Sequence, residues 1–381
     1  MDAPALTGRL AAEEAAARRG SLAGKDGGTM ADETVAAPAP TPGVLAGEAS
    51  RYLIATAARA PSVHNTQPWR FRVDGDAIEL YCDPRRRLRT DPGGREMLIS
   101  CGAALFGLRL AVRSLGYRPV VNLLPEPGRR RLLARVTLGA AEPMTAADYE
   151  MLKAVPHRHT HRGAFAAGPL PDGLLPRLQH DALAEGATLA IIDRGLAYQR
   201  LADIVGATAR TVDLDPRARA ELRRWTRRVG SGARDGVPAR AFPAVAAQQP
   251  GRRSGRLRQR DFDLGRGLGL LEPAGRDGGD PAVTAVLLTT GDGRADWLQA
   301  GQALNRLLLH AASRWVFASL YTQPLEIPPI RTLIRERLAL PGAPQVVLQL
   351  GVSHTADATA RRPPAEVTEQ GPLSLLQAGP S

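Results

Sequence analysis

The sequence predicts an α+β fold in which one helix-and-strand unit occurs twice. Two observations predict it. "GAALFGLRLAVRSLG" from Gly102 lies on "GQALNRLLLHAASRW" from Gly301 without a gap, so that Gly102 matches Gly301, Leu105 matches Leu304 and Leu108 matches Leu307. Each helix is followed by a strand ending in Leu-Gly, "RVTLG" in the first half and "VLQLG" in the second. Helix plus strand in the same order indicates internal duplication. A chain that fuses two copies of a half mimics a symmetric dimer, with a site at the internal interface.

The elements follow in order. Residues 1–46 are Ala/Gly/Pro-rich and end in "AAPAPTPG", a composition that builds no core and reads as a disordered tail. Met30, followed by "ADETVAAP", reads as a natural start within it. Ordered structure begins near Ser50, where "ASRYLIATAARA" has helical apolar spacing. "WRFRV" and "DAIELYCD" flank a "DGD" turn as a hairpin. In residues 96–116, Leu98, Cys101, Leu105, Leu108, Val112 and Leu115 recur at the spacing of a packed helix, with Gly116 as its stop. Two strands, "RPVVNLLP" and "RRLLARVTLG", complete a first half at 47–145.

The second half, 146–370, opens with "HRHTHRGAF" and continues into a helix at "LPDGLLPRLQ" and a buried strand at "ATLAIID". Between about 226 and 282 it carries a basic, Gly/Pro-rich insertion. A stretch of that length with little regular structure is a lid, a binding loop or disorder. Its apolar patches "AFPAVAA" and "LGLLEP" argue that part of it docks on the body. Residues 371–381 form a C-terminal tail.

With 44% hydrophobic residues in 381, the chain can bury a substantial core. No apolar run reaches the roughly 18 to 20 residues of a membrane span, and the N-terminus lacks the order of a signal peptide. Cys82 and Cys101 fit neither a disulfide framework nor a metal-ligand spacing. The chain therefore reads as soluble and cytoplasmic. Its formal charge of +12 is almost all arginine, Lys25 and Lys153 being the only lysines. Those arginines are scattered and accompany no nucleic-acid motif, which favours a coding bias over nucleic-acid binding.

Chemistry concentrates in three places. "APSVHNTQPW", residues 60–69, gathers Ser62, His64, Asn65, Thr66 and Gln67 between Pro61 and Pro68. Asn and Gln can simply shape a turn, but together with Ser they offer the donors and acceptors that read the edge of a planar heterocycle. In "HRHTHR", Arg158, Thr160 and Arg162 alternate, so an extended segment points all three to one face. Two guanidinium forks beside a hydroxyl make a phosphate clamp. His157, His159 and His161 share the other face, but two-residue steps along one strand seldom converge on one metal ion. "TARRPPAEV" places Arg361 and Arg362 in a Pro-stiffened loop after the last strand.

"AARAPSVHNTQPWRF" resembles the nitroreductase superfamily signature, in which a Pro-Ser loop and an Asn-x-Gln-Pro-Trp approach the ring of FMN. "RHTHR" and "RRPPAEV" resemble that superfamily's phosphate-holding elements, with Thr160 in place of Ser. Splitting these elements between two halves of one chain resembles the Acg-like branch, as do "REMLISCGAAL" and "QPLEIPPIR". The resemblance implies a nitroreductase-like, internally duplicated pseudo-dimer, monomeric, with one FMN per chain. It implies that Ser62, Val63, His64, Asn65 and Gln67 meet the ring or ribityl chain, while Arg158, Thr160, Arg162, Arg361 and Arg362 hold the phosphate. The insertion then acts as a lid over the flavin. NAD(P)H and a nitro or quinone-like acceptor are the implied partners, and the alternative is flavin storage under the lid with little turnover. No acid, base or nucleophile of the chain is implied, because the flavin itself transfers hydride. One departure stands out: Trp315 aligns with Gly116, where the superfamily keeps a small residue, and would narrow the space beside the flavin.

Overall fold

The computed structural model describes residues 45, 47–243, 257–271, 282–354 and 359–369. The tails expected at 1–46 and 371–381 lie outside these residues except for Leu45, which is buried in the first core. Helix α1 (Glu48–Ala57) leads into the proline-framed loop. The expected hairpin follows as antiparallel strands β1 (Trp69–Asp74) and β2 (Ala77–Cys82), turning at Gly75 with φ 57°. Helix α2 (Arg95–Ser114), β3 (Tyr117–Leu123) and β4 (Leu132–Ala141) complete an antiparallel sheet of order β1-β2-β4-β3.

Helix α3 (Ala146–Ala154) starts at a capping box between Thr145 and Asp148. After it come α4 (Leu174–Ala184), β5 (Thr188–Ile192), α5 (Leu196–Leu214) and α6 (Pro216–Trp225). The insertion supplies a short parallel pair, β6 (Thr226–Arg227) with β7 (Val237–Pro238). Next are β8 (Val283–Thr289), α7 (Arg294–Ser313), β9 (Val316–Tyr321), α8 (Pro328–Arg337), β10 (Ala343–Val352) and the final turn α9 (Pro364–Val367). The second antiparallel sheet has the order β5-β8-β10-β9. In each sheet the two strands after the long helix are those at the far edge and beside it, so the connectivity of the first sheet recurs in the second.

The correspondence reaches single residues. Aligning the two Leu-Gly strand ends sets Leu133 against Gln345. Those two residues are the bulges of their sheets: Leu133 is the extra residue of β4 opposite β2, and Gln345 is the extra residue of β10 opposite β8. The long helices α2 and α7 cross at Gly102 and Gly301. A Cβ on Gly102 would collide with the Leu298 carbonyl, and one on Gly301 with the Ile99 carbonyl and, at 2.8 Å, with the Gly102 Cα. The two collisions are reciprocal, because Ile99 and Leu298 are themselves equivalent in the gapless alignment. Only glycine at both positions lets the two backbones touch.

By length and composition α2 could cross a membrane, but 83% of its apolar window is buried within the protein. Its middle, residues 97–108, carries no charge on any face because α7 and the first sheet enclose it, as expected of a central helix. Asp91 accepts the Met97 N–H at 3.0 Å and thereby satisfies an otherwise free donor of its first turn.

Trp315 and Gly116 occupy equivalent positions, and both adopt positive φ, 56° and 84°. That conformation suits glycine and strains a bulky side chain. Contrary to the expectation of a narrowed flavin site, the Trp315 side chain faces outward at 50% exposure and stacks on His157 with ring centroids 5.5 Å apart. Trp315→Gly exchanges this stacking for relief of strain, so stability should change by no more than about 1 kcal/mol. Urea unfolding of the variant checks the value, and a loss of about 3 kcal/mol or more would show that the His157 stack outweighs the strain.

Candidate functional site

The loop between α1 and β1 is held in an unusual backbone conformation. His64, Asn65 and Gln67 have φ values of 49°, 56° and 50°. Strain of this kind persists only where surrounding contacts over-determine it, and here they do. Ser62 Oγ accepts the Gln67 N–H at 3.0 Å, Ser100 Oγ on α2 accepts the Val63 N–H at 3.2 Å, and Arg86 donates to the Thr66 carbonyl at 2.7 Å.

The amides of the loop make most of their hydrogen bonds to backbone groups of distant segments. Asn65 Nδ2 donates to the carbonyls of Gly236 (3.0 Å) and Ala360 (3.1 Å). Gln67 Nε2 donates to the Arg234 carbonyl at 2.7 Å, and its Oε1 accepts the Arg362 N–H at 2.8 Å. Neither side chain lines the adjoining cavity. They join the insertion and the C-terminal segment to the loop, and only Asn65 Oδ1, buried without a partner, is left over.

The cavity, about 780 Å³ of empty space when the open solvent at its mouth is included, is lined by residues from both the 61–100 and the 160–346 parts of the chain. Pro61 to His64 form part of its wall, and Glu96, Ile99 and Ser100 of α2 form another. Thr160, His161 and Arg162 contribute from the extended segment before α4, and Leu304 contributes from α7. The insertion adds Gln259, Arg260 and Phe262. Ile99, Leu304, Leu320, Val346 and Phe262 offer apolar surface to a fused aromatic ring.

The extended segment expected in "HRHTHR" is present. Thr160 bridges Ala318 of β9 in parallel, and the His161 N–H donates to the Ala318 carbonyl at 2.9 Å. His159 and His161 pack among rings, His159 4.2 Å from Phe317 and His161 4.7 Å from Phe165 by centroid. Arg158 and Arg162 lie close enough to repel each other, and Arg162 lines the cavity, as His161 also does. Arg59, which the sequence reading missed, and Arg361 join this pair, both held by backbone carbonyls: Arg59 by Pro156, Arg361 by Ala60.

Among the described residues no carboxylate pairs with Arg59, Arg158, Arg162 or Arg361. Burial, then Arg59 and Arg162, pull the Arg158 guanidinium down to about 10, and its Nη1 is buried without a partner. Burial and Arg260 bring Arg162 to about 10. Burial, with Arg158, Arg59 and Arg162, lowers Arg361 well below the ordinary arginine value. Arg158 is buried and Arg59, Arg162 and Arg361 are half-buried; like charges brought together there without a counter-ion are costly, and a phosphate dianion is a ligand that would relieve the cost. Arg362 is not part of this set. It faces Arg86 and Arg70 and pairs with Glu366, so the structure separates it from its neighbour Arg361.

At the insertion side, Arg260 donates to His64 Nε2 at 3.1 Å and pairs with Glu326. Burial, then Arg260 and Arg162, hold His64 well below its usual pKa, so its ring is neutral. Sequence reasoning missed Arg59, Glu96, Ser100 and Arg260. Only the position of Arg59, just before the Pro-Ser loop, offered any signal.

No family model matches the chain. It is 36% identical over 309 residues to the Mycobacterium tuberculosis protein named "Putative NAD(P)H nitroreductase Rv3131", covering 80% of this chain and 85% of that one. The chain belongs to the nitroreductase superfamily. A second Mycobacterium tuberculosis relative, "Putative NAD(P)H nitroreductase acg", is 29% identical over 320 residues, covering 82% and 92%. Within the superfamily this is an Acg-like chain. Among solved structures it is similar to a nitroreductase with bound FMN from Desulfitobacterium hafniense, at 12% identity and a TM-score of 0.36, over 58% of this chain and 98% of that one.

Proposed function

We propose that the chain is an FMN-binding nitroreductase-like protein, built as a duplicated pseudo-dimer with a single flavin between its halves. The observation that carries this reading is the arginine set, Arg158 buried and Arg59, Arg162 and Arg361 half-buried, which pairs with no carboxylate among the described residues and reaches a partly apolar cavity through Arg162. Arg158, Arg162 and Arg361, with Arg59, would hold the phosphate, and Thr160 would add a hydroxyl. Ser62, Val63 and His64 would lie against the remainder of the flavin, with Asn65 and Gln67 acting as braces behind them. Equal sheet connectivity, matching bulges and the reciprocal glycine crossing support the duplication, with halves near 47–145 and 146–370.

Bound flavin supplies hydride chemistry toward nitro or quinone-like acceptors. The chain's own residues bind, orient and shield it. The insertion supplies Gln259, Arg260 and Phe262 to the cavity wall and is fastened to the loop through Gly236 and Arg234. That fastening favours a second reading, storage of flavin under a lid closed to nicotinamide. The reading as a whole takes the protein to be a cytoplasmic monomer.

Anaerobic stopped-flow mixing of the flavin-loaded chain with excess NADPH separates the two. Rapid bleaching of the flavin band rules out storage, and colour that persists rules out a nicotinamide-fed enzyme.

A further inference from the structure

Glu96 is buried at 3% exposure in the first turn of α2 and lines the cavity one helical turn before Ser100. Charged groups reach it from four directions. On its own helix Arg95 pairs with it and also binds Gln345, the bulge residue of β10, at 3.0 Å. Asp91 approaches from the loop before α2, and Glu326 from the turn after β9. Arg260 comes from the insertion, bound to Glu326 and to the neutral ring of His64.

Three carboxyls thus face two guanidiniums in a buried pocket. Full ionisation leaves uncompensated negative charge there, and one proton removes it. Asp91 and Glu326 each have a further donor, the Met97 N–H and Thr322 Oγ respectively. Glu96 has its Arg95 partner and the open cavity. Burial first, then Glu326 and Asp91, push Glu96 up to about 7, while burial brings Asp91 to about 6.

We propose that Glu96 is the proton-holding carboxyl of the cavity, storing a proton there and exchanging it as the charge of the bound ligand changes. The ligand part of this inference rests on the flavin reading above. Two electrons delivered to the bound flavin by an external reductant make the cavity more negative. The ionised fraction of Glu96 then forms its O–H bond with a proton from solvent.

Two measurements test it on the full chain. In the first, infrared difference spectra between about pH 6 and pH 8.5 are taken without flavin. The wild type should lose a carboxylic-acid band that is absent from Glu96→Gln and retained by Asp91→Asn. A band unchanged in Glu96→Gln would overturn the proposal. In the second, the FMN-loaded chain is reduced with dithionite in weak buffer near pH 8 with an indicator dye. Wild type should take up as much as about one proton per flavin more than Glu96→Gln, with Glu96→Asp restoring part of the difference. Equal uptake by wild type and Glu96→Gln would also overturn it. If the infrared band behaves as expected but the wild type binds no FMN, the flavin reading fails and the proton on Glu96 stands.

Discussion

Arg158→Met should weaken FMN binding roughly 10- to 150-fold while making the flavin-free chain more stable. The two effects share one cause. Arg158 is buried, its Nη1 has no partner, and Arg59 and Arg162 repel it. A charge-assisted hydrogen bond to phosphate is worth about 1.5–3 kcal/mol, which sets the loss of affinity. Without phosphate the same guanidinium is an uncompensated buried charge. Replacing it with an apolar side chain of similar length should therefore add about 1–3 kcal/mol to flavin-free stability. Saturating FMN should reverse the order of the two proteins, since a ligand stabilises only the state that binds it. Urea unfolding with and without FMN, beside a calorimetric titration, reads all of this. A variant that is less stable without flavin yet binds it normally would show that Arg158 serves the fold and not the ligand.

The second large effect concerns the helix crossing. Gly301→Ala should destabilise the chain by about 3 kcal/mol or more, because the added methyl group meets backbone atoms of Ile99, Gly102 and Ala103, which cannot rotate away. Gly102→Ala should behave alike, as its equivalent contact with Leu298 requires. Gly128→Ala is the control: nothing lies within 4 Å of its added Cβ, so the change should stay within about 0.5 kcal/mol. Because Leu304, less than one turn beyond Gly301, lines the cavity, separation of the helices should also weaken flavin binding. Denaturant unfolding checks the order of the three variants. Similar stability for Gly301→Ala and Gly128→Ala would mean that the two helices have room to move apart.

Much of this architecture was legible from periodicity. The hairpin at 69–82, the helix beginning near 96 and its counterpart near 301 follow from local apolar spacing, which is fixed by which face meets the core. The closeness of Arg158 to Arg162 was also readable, because an extended segment leaves only two faces to choose between. Residues whose role depends on distant chain were not readable. Asn65 and Gln67 bind carbonyls of Arg234, Gly236 and Ala360, and no local pattern announces such partners. The direction of Trp315 depended on a positive φ that its residue type argues against. Arg260 and Glu96 meet only after the insertion folds back across the cavity. Arg361 and Arg362 are adjacent in sequence, yet they serve different clusters because neighbouring side chains of an extended segment diverge.

The central claim is a single flavin phosphate on the arginine set between the two halves. Calorimetric titration of flavin-stripped protein with FMN, run beside riboflavin, tests it most directly. The account predicts one FMN per chain, with riboflavin bound far more weakly for lack of the phosphate. Two FMN per chain, no binding at all, or equal affinity for FMN and riboflavin would contradict it.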